Sequence, residues 1–307
     1  MRKIILLCAS LFAMALSMSA SPVRAQNVSF VSPLGSDSNT CSQTSPCASF
    51  AGAYNKVGVS QINCLGSGIY GPITITTSLT IDCGTGNVGN IAYAGGSAIT
   101  INTTAAATII LRHLAMNGLS SNNDGINATS FFSGTLIVED CMIQGYSAGR
   151  GIQFVPTSGR GLLQVSNSQI FGNVVGIEVF PASGQIASVT LNQVELVGNS
   201  DDGLALTGQG VVAGTMRGSV VGENGNDGVL TAAPQVFFTI EESSIVDNLG
   251  NGIQTDSAGS VVNVGASTIG GNGTGVKSFS GSLISFGNNQ MSANGTNGNF
   301  TSTTALR

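Results

Sequence analysis

Apolar and polar positions alternate in short runs along this chain, and from about residue 108 the runs return at a regular interval. Each return spells apolar-x-apolar, a polar pair, a small residue, an aliphatic, an Asn-centred turn and then Gly-aliphatic. Ile170-Phe171-Gly172-Asn173 leads to Gly176-Ile177, Leu196-Val197-Gly198-Asn199 to Gly203-Leu204, and Val221-Gly222-Glu223-Asn224 to Gly228-Val229. Residues two apart on a strand share a face, so each run predicts a short strand with one inward side. Aligned by hand, one inward column is Leu111, Val138, Val165, Leu191, Met216, Ile240, Val264 and Phe286, in steps of 27, 27, 26, 25, 24, 24 and 22 residues. A second column, five residues on, is Met116, Ile143, Ile170, Leu196, Val221, Ile245, Ile269 and Met291. Apolar residues fill every place in both, as interior ladders require.

A repeat of this length is too short for a propeller blade, lacks the leucine spacing of leucine-rich repeats and has no sustained helical period. What remains is an all-β solenoid, a parallel β-helix with three short strands per rung. The Asn column (Asn173, Asn199, Asn224, Asn248, Asn272, Asn294) is expected to pair amides between rungs in left-handed turns, and the Gly column (Gly125, Gly151, Gly176, Gly203, Gly228, Gly252, Gly275, Gly298) to supply positive φ at the bend. Upstream, residues 27–35 read as a strand and turn, and residues 47–57 carry Phe50, Ala51, Tyr54 and Val57 at helical spacing. A short helix there would plug the open end of the core.

Residues 1–25 have a basic start, an apolar run and a small-residue end at Ala25, the pattern of a cleaved export signal. The expected division is therefore 1–25 signal peptide, 26–61 strand, Cys loop and capping helix, 62–300 β-helix and 301–307 tail. That tail is too short for a membrane barrel, no later segment has the length of a membrane helix, and the expected location is secreted or periplasmic. Without Arg2, Lys3 and Arg24 the chain has 7 basic and 15 acidic residues, a net charge of about −8. Such a chain has no basic patch for nucleic acid. A monomer that meets a polysaccharide or protein surface is the expectation. Of the cysteines, Cys41 with Cys47 and Cys64 with Cys83 are expected as disulfides, Cys141 being left over.

The run Val31-Ser32-Pro33-Leu34-Gly35-Ser36-Asp37-Ser38-Asn39-Thr40-Cys41, then Ser45-Pro46-Cys47-Ala48-Ser49-Phe50-Ala51-Gly52-Ala53, resembles the opening segment of bacterial secreted right-handed β-helix repeat proteins. Ile62-Asn63-Cys64 through Ile81-Asp82-Cys83 and the closing Gly287-Asn288-Asn289-Gln290 resemble them too. The resemblance spans nearly the whole mature chain and implies the pectin-lyase-like fold. It implies little about activity, since one fold carries many functions.

Enzymes of this fold mostly act on polysaccharides, but their motifs are incomplete here. Asn199-Ser200-Asp201-Asp202-Gly203 resembles a fragment of the polygalacturonase pattern, yet His113 has no flanking glycines and no Arg-x-Lys exists. Stacking at about 4.8 Å per rung nevertheless predicts two charged clusters. Asp201, Asp202 and Asp227 would lie together, either as turn residues or as carboxylates for calcium. Arg112 and His113 would stand over Glu139 and Asp140, an oriented imidazole beside a carboxylate if the chain is a lyase or glycoside hydrolase. Arg217 over Glu241 repeats that geometry as a plain surface pair. The leading expectation is a non-catalytic module that binds a glycan or protein, with the carbohydrate-active enzyme as the alternative.

Overall fold

The computed structural model describes residues 27–304; the predicted signal peptide and the last three residues lie outside them. Within this span the chain winds into a parallel solenoid of three sheets. The first sheet has 12 strands and the second and third have 10 each. A typical rung is the first-sheet strand Ala106–Arg112, the second-sheet strand Leu114–Asn117 and the third-sheet strand Ile126–Phe131. Strand Asn27–Val31 pairs with Val59–Cys64 and opens the first sheet. Parallel strands need long returns, and here each return is one full turn of the solenoid.

The predicted interior ladders form. Leu111, Val138 and Val165 are Cα partners in successive first-sheet strands, and Val165 continues through Leu191, Met216, Ile240 and Val264. The second column pairs without a slip from Met116 to Met291. Its core members are almost fully buried. One assignment fails at the open end. Val264 pairs with Ser285 and not with Phe286, because the last corner holds an extra residue. Phe286 is only half-buried, and its ring covers Gly265.

The Asn column is a continuous hydrogen-bonded ladder. Asn199 Nδ2 donates to Asn224 Oδ1 at 3.0 Å, and Asn224 Nδ2 to Asn248 Oδ1 at 2.8 Å. Each Oδ1 also accepts the backbone N–H of the preceding Asn, and each Nδ2 also reaches a carbonyl one rung back, as from Asn224 to Leu196. Buried amides are tolerated here because nearly every donor and acceptor is used. Tyr146 starts the ladder, its backbone N–H bonding Asn173 Oδ1.

The backbone reason for the Gly column differs from the expected one. In that column positive φ occurs only at Gly298; the left-handed residues of this turn are those just before each Asn, such as Gly172, Gly198, Glu223 and Asp247. The column is glycine because space is short. A Cβ on Gly203 would meet Val221 Cγ1 at 2.5 Å, Asn224 Nδ2 at 2.8 Å and Gly228 O at 2.8 Å.

The helix at the N-terminal end is short, Phe50–Tyr54, with the Ser49 hydroxyl accepting the Gly52 N–H as its cap. Phe50 inserts into the core beside Tyr70. Disulfides Cys41–Cys47 and Cys64–Cys83 form as predicted, and Cys141 is free and buried. Two disulfides mark a chain that matures in an oxidising compartment, extracellular or periplasmic. No helix among the described residues is long and apolar enough to cross a membrane.

Candidate functional site

Between the first and second sheets the chain turns on a single left-handed residue. In successive rungs this residue is His113, Asp140, Asn167, Gln193, Gly218, Glu242 and Ala266, with φ from 48° to 58°. Left-handed backbone costs a non-glycine residue roughly 1–2 kcal/mol, and the strands locked on either side hold it there. The corner is therefore a rigid row of outward side chains at the spacing of the rungs.

His113 and Asp140 are neighbours in this row, as predicted, with His113 Nε2 3.7 Å from Asp140 Oδ2. Arg112 stands over Glu139, its Nε donating to Glu139 Oε2 at 2.7 Å. The residue that sequence reasoning missed is Asp82. Its Oδ1 lies 2.9 Å from His113 Nδ1 and also accepts the Gly84 N–H at 2.7 Å. Asp82 is the Cα partner of Arg112, so one extra alignment step from Ile81 to Leu111 would have found it. The step is longer than those that follow, and no Asn or Gly signal marks it. His113 is thus flanked by a carboxylate at each ring nitrogen, with Nδ1 tightly engaged and Nε2 loosely.

The supposed surface analogue is arranged differently. Arg217 pairs in register with Glu241, but its guanidinium forks onto Glu242, at 2.6 and 3.0 Å.

His113 and Asp140 open onto a groove of about 620 Å³ along the second sheet. Asn87, Asn167, Gln169, Gln193 and Glu195 supply polar groups, and Val88 and Met142 supply apolar surface. Through Gln169 and Glu195 it continues into a second hollow of about 430 Å³ that reaches Glu223. Neither stretch has a Lys or Arg in its lining. Cys141 also borders the groove, but burial pushes its thiol up to about 12, so it stays protonated.

The aspartate cluster is built as a backbone clamp. Asp202 Oδ1 accepts the Asp227 N–H at 3.0 Å and the Asn226 amide at 2.9 Å, and Asp227 Oδ1 accepts the Asn251 N–H at 2.7 Å. Asp124 does the same for the Arg150 N–H. Burial, with Asp201 and Asp227 adding repulsion, raises Asp202 to about 7. Among the described residues no three His, Cys, Asp or Glu side chains are grouped to hold a metal ion. The geometry is that of stacked turns, with each carboxylate serving the rung beyond it.

No family model matches the sequence, and no curated protein matches it. Among solved structures, the crystal structure of pectate lyase Pel9A is similar, with a TM-score of 0.62 and 16% identity, over 91% of this chain and 78% of that chain. The A-module of Azotobacter vinelandii mannuronan C-5 epimerase AlgE4 aligns at a TM-score of 0.47 and 14% identity, over 81% of this chain and 91% of that one. Three parallel sheets, stacked interior ladders and the likeness to the pectate lyase agree: the chain is a right-handed parallel β-helix of the pectin-lyase-like type.

Proposed function

We propose that this is an exported, glycan-binding β-helix whose binding surface is the second-sheet groove. The observation that carries this reading is the lining of the groove. Amide side chains of Asn87, Asn167, Gln169 and Gln193 alternate there with apolar surface, as saccharide hydroxyls and C–H faces require. The carboxylates of Asp140, Glu195 and Glu223, with no Lys or Arg in the lining, would repel a polyuronate and admit a neutral glycan. Beside the groove the chain turns on one left-handed residue per rung from His113 to Gln193, which suits a surface that receives a chain lengthwise.

Affinity electrophoresis through gels of neutral glucans, mannans and xylans tests this. Retardation in at least one of them, reduced at least tenfold by Gln169→Ala combined with Gln193→Ala, is the expected result. Unchanged mobility in every neutral gel, or retardation by polygalacturonate alone, would refute it.

A second reading has its own support. The Asp82–His113 pair at the groove wall is the geometry of an oriented general base, which in a hydrolase would activate water against a glycosidic bond. Release of reducing ends by the wild type, abolished in His113→Ala, would establish catalysis over binding alone.

A further inference from the structure

The chain has no Trp and four Tyr. Tyr70 and Tyr146 are buried in the core, whereas Tyr54 and Tyr93 are half-exposed. These two come from the capping helix and from the loop after strand Gly89–Ala92, yet both line one cleft of about 440 Å³. The cleft lies against the third sheet, so it is separate from the second-sheet groove.

Tyr54 is anchored by hydrogen bonds, and Tyr93 is packed on its own loop, before any ligand arrives. The Tyr54 hydroxyl receives the backbone N–H groups of Thr76 and Thr77 at 3.0 and 3.1 Å and lies 3.1 Å from each threonine hydroxyl. Tyr93 folds over its own loop, so close to Gly95 and Gly96 that a Cβ on either would meet a ring carbon at 3.0 Å. An aromatic platform already held in place loses little freedom on binding. Between the rings stand Thr74 and Thr100, paired across adjacent third-sheet strands, with Asn55 and Ser97 at the rim. No charged side chain lines the cleft. Beyond Tyr54 and Asn55 it widens into a cavity of about 830 Å³, whose one ionic residue, Lys56, is tied to the Asp37 carbonyl.

We propose that this aromatic cleft is a second saccharide site, in which the C–H face of a neutral sugar packs on Tyr54 and Tyr93 while Thr74, Thr100, Asn55 and Ser97 bind its hydroxyls. An uncharged cleft gives no attraction to a uronate or to a phosphate. A purely apolar segment would leave the hydroxyl and amide groups without partners. An amphipathic neutral sugar satisfies both halves of the lining.

With no Trp present, tyrosine emission is unmasked, and Tyr54 and Tyr93 are two of its four sources. The test titrates the folded protein with neutral β-1,4-linked hexasaccharides of glucose, mannose and xylose, reading tyrosine fluorescence and calorimetric heat. The expected result is saturable binding of one of them, weakened at least tenfold by Tyr93→Leu and by Thr74→Lys, and left within twofold by Tyr93→Phe. Circular dichroism confirms that each variant is folded. If Tyr93→Leu fails to fold, Thr74→Lys on the exposed face of its strand carries the test. Binding unchanged in Tyr93→Leu and Thr74→Lys but lost in the Gln169→Ala, Gln193→Ala double variant would overturn this inference and leave the groove reading standing. The reverse pattern would support the cleft and remove the groove. Absence of any tyrosine signal or heat, or binding of hexagalacturonate alone, would overturn the cleft proposal.

Discussion

His113 Nδ1 lies 2.9 Å from Asp82 Oδ1, although the two residues are 31 positions apart in the chain. The contact joins adjacent rungs, and Asp82 is itself fixed by the Gly84 N–H. Asp82→Ala removes both bonds and is expected to cost about 1–2 kcal/mol, whereas Asp82→Asn retains a carbonyl for Gly84 and should lose less. Urea unfolding of the two variants checks this. Equal loss in both would mean that the charge, and not the hydrogen bond, holds the corner.

The amide ladder should be most sensitive at its middle. Asn224→Ala removes the oxygen that accepts the Asn199 backbone and side-chain N–H groups and the amide that donates to Asn248 Oδ1 and the Leu196 carbonyl, and about 3–4 kcal/mol of stability should be lost. Asn294 is at the end, where its amide bonds Asn297 in its own rung as well as the Ile269 carbonyl. Asn294→Ala is expected to cost about 1 kcal/mol, measured in the same unfolding experiment.

Two glycines separate crowding from backbone strain. Gly203→Ala places a methyl against Asn224 and the Gly228 carbonyl and should cost about 2–3 kcal/mol. Gly198 has φ +64° with nothing within 4 Å of a Cβ, so Gly198→Ala should cost about 1 kcal/mol and Gly198→Asn less. The order Gly203→Ala above Gly198→Ala above Gly198→Asn is read from denaturation midpoints, and any inversion counts against this assignment.

Asp202 gives the fold an acid-side preference. Its pKa is raised from an ordinary 3.8 to about 7, so the folded state holds a proton that the unfolded state releases. The stabilisation from that proton is complete below about pH 4 and is lost as pH rises through about 7. Asp202→Asn keeps the acceptor oxygen and removes the titration. The variant should gain on the order of 1–2 kcal/mol over wild type at pH 8 relative to pH 4, measured by thermal unfolding at both values.

The interior was readable from the sequence because burial imposes a strict pattern. A residue facing a stacked core must be apolar on every rung, and Leu111 to Val264 show it. The corner was not readable, because His113, Asp140, Asn167, Gln193 and Glu242 share no side-chain chemistry. Their left-handed backbone comes from the strands on either side, and residue type does not announce it. The Gly column was found but its cause was not, since crowding by a neighbouring amide is a property of the stack. Asp82 has no sequence signal of its own, because its rung carries neither the Asn nor the Gly mark. The slip at Ser285 arose where the open end relaxes the demand for an apolar residue.

The first corner has one further consequence. From Leu111 and Met116 to Val264 and Ile269, the inward residues on its two sides stay five positions apart while the rungs around them shorten from 27 to 24 residues. All variation in length is thrown onto the other two bends. The corner therefore works as a fixed keyboard: each left-handed position is a key whose side chain can be exchanged without disturbing the core beneath. A lineage could exchange the side chains of this edge one rung at a time, as the sequence of His113, Asp140, Asn167 and Gln193 along it shows.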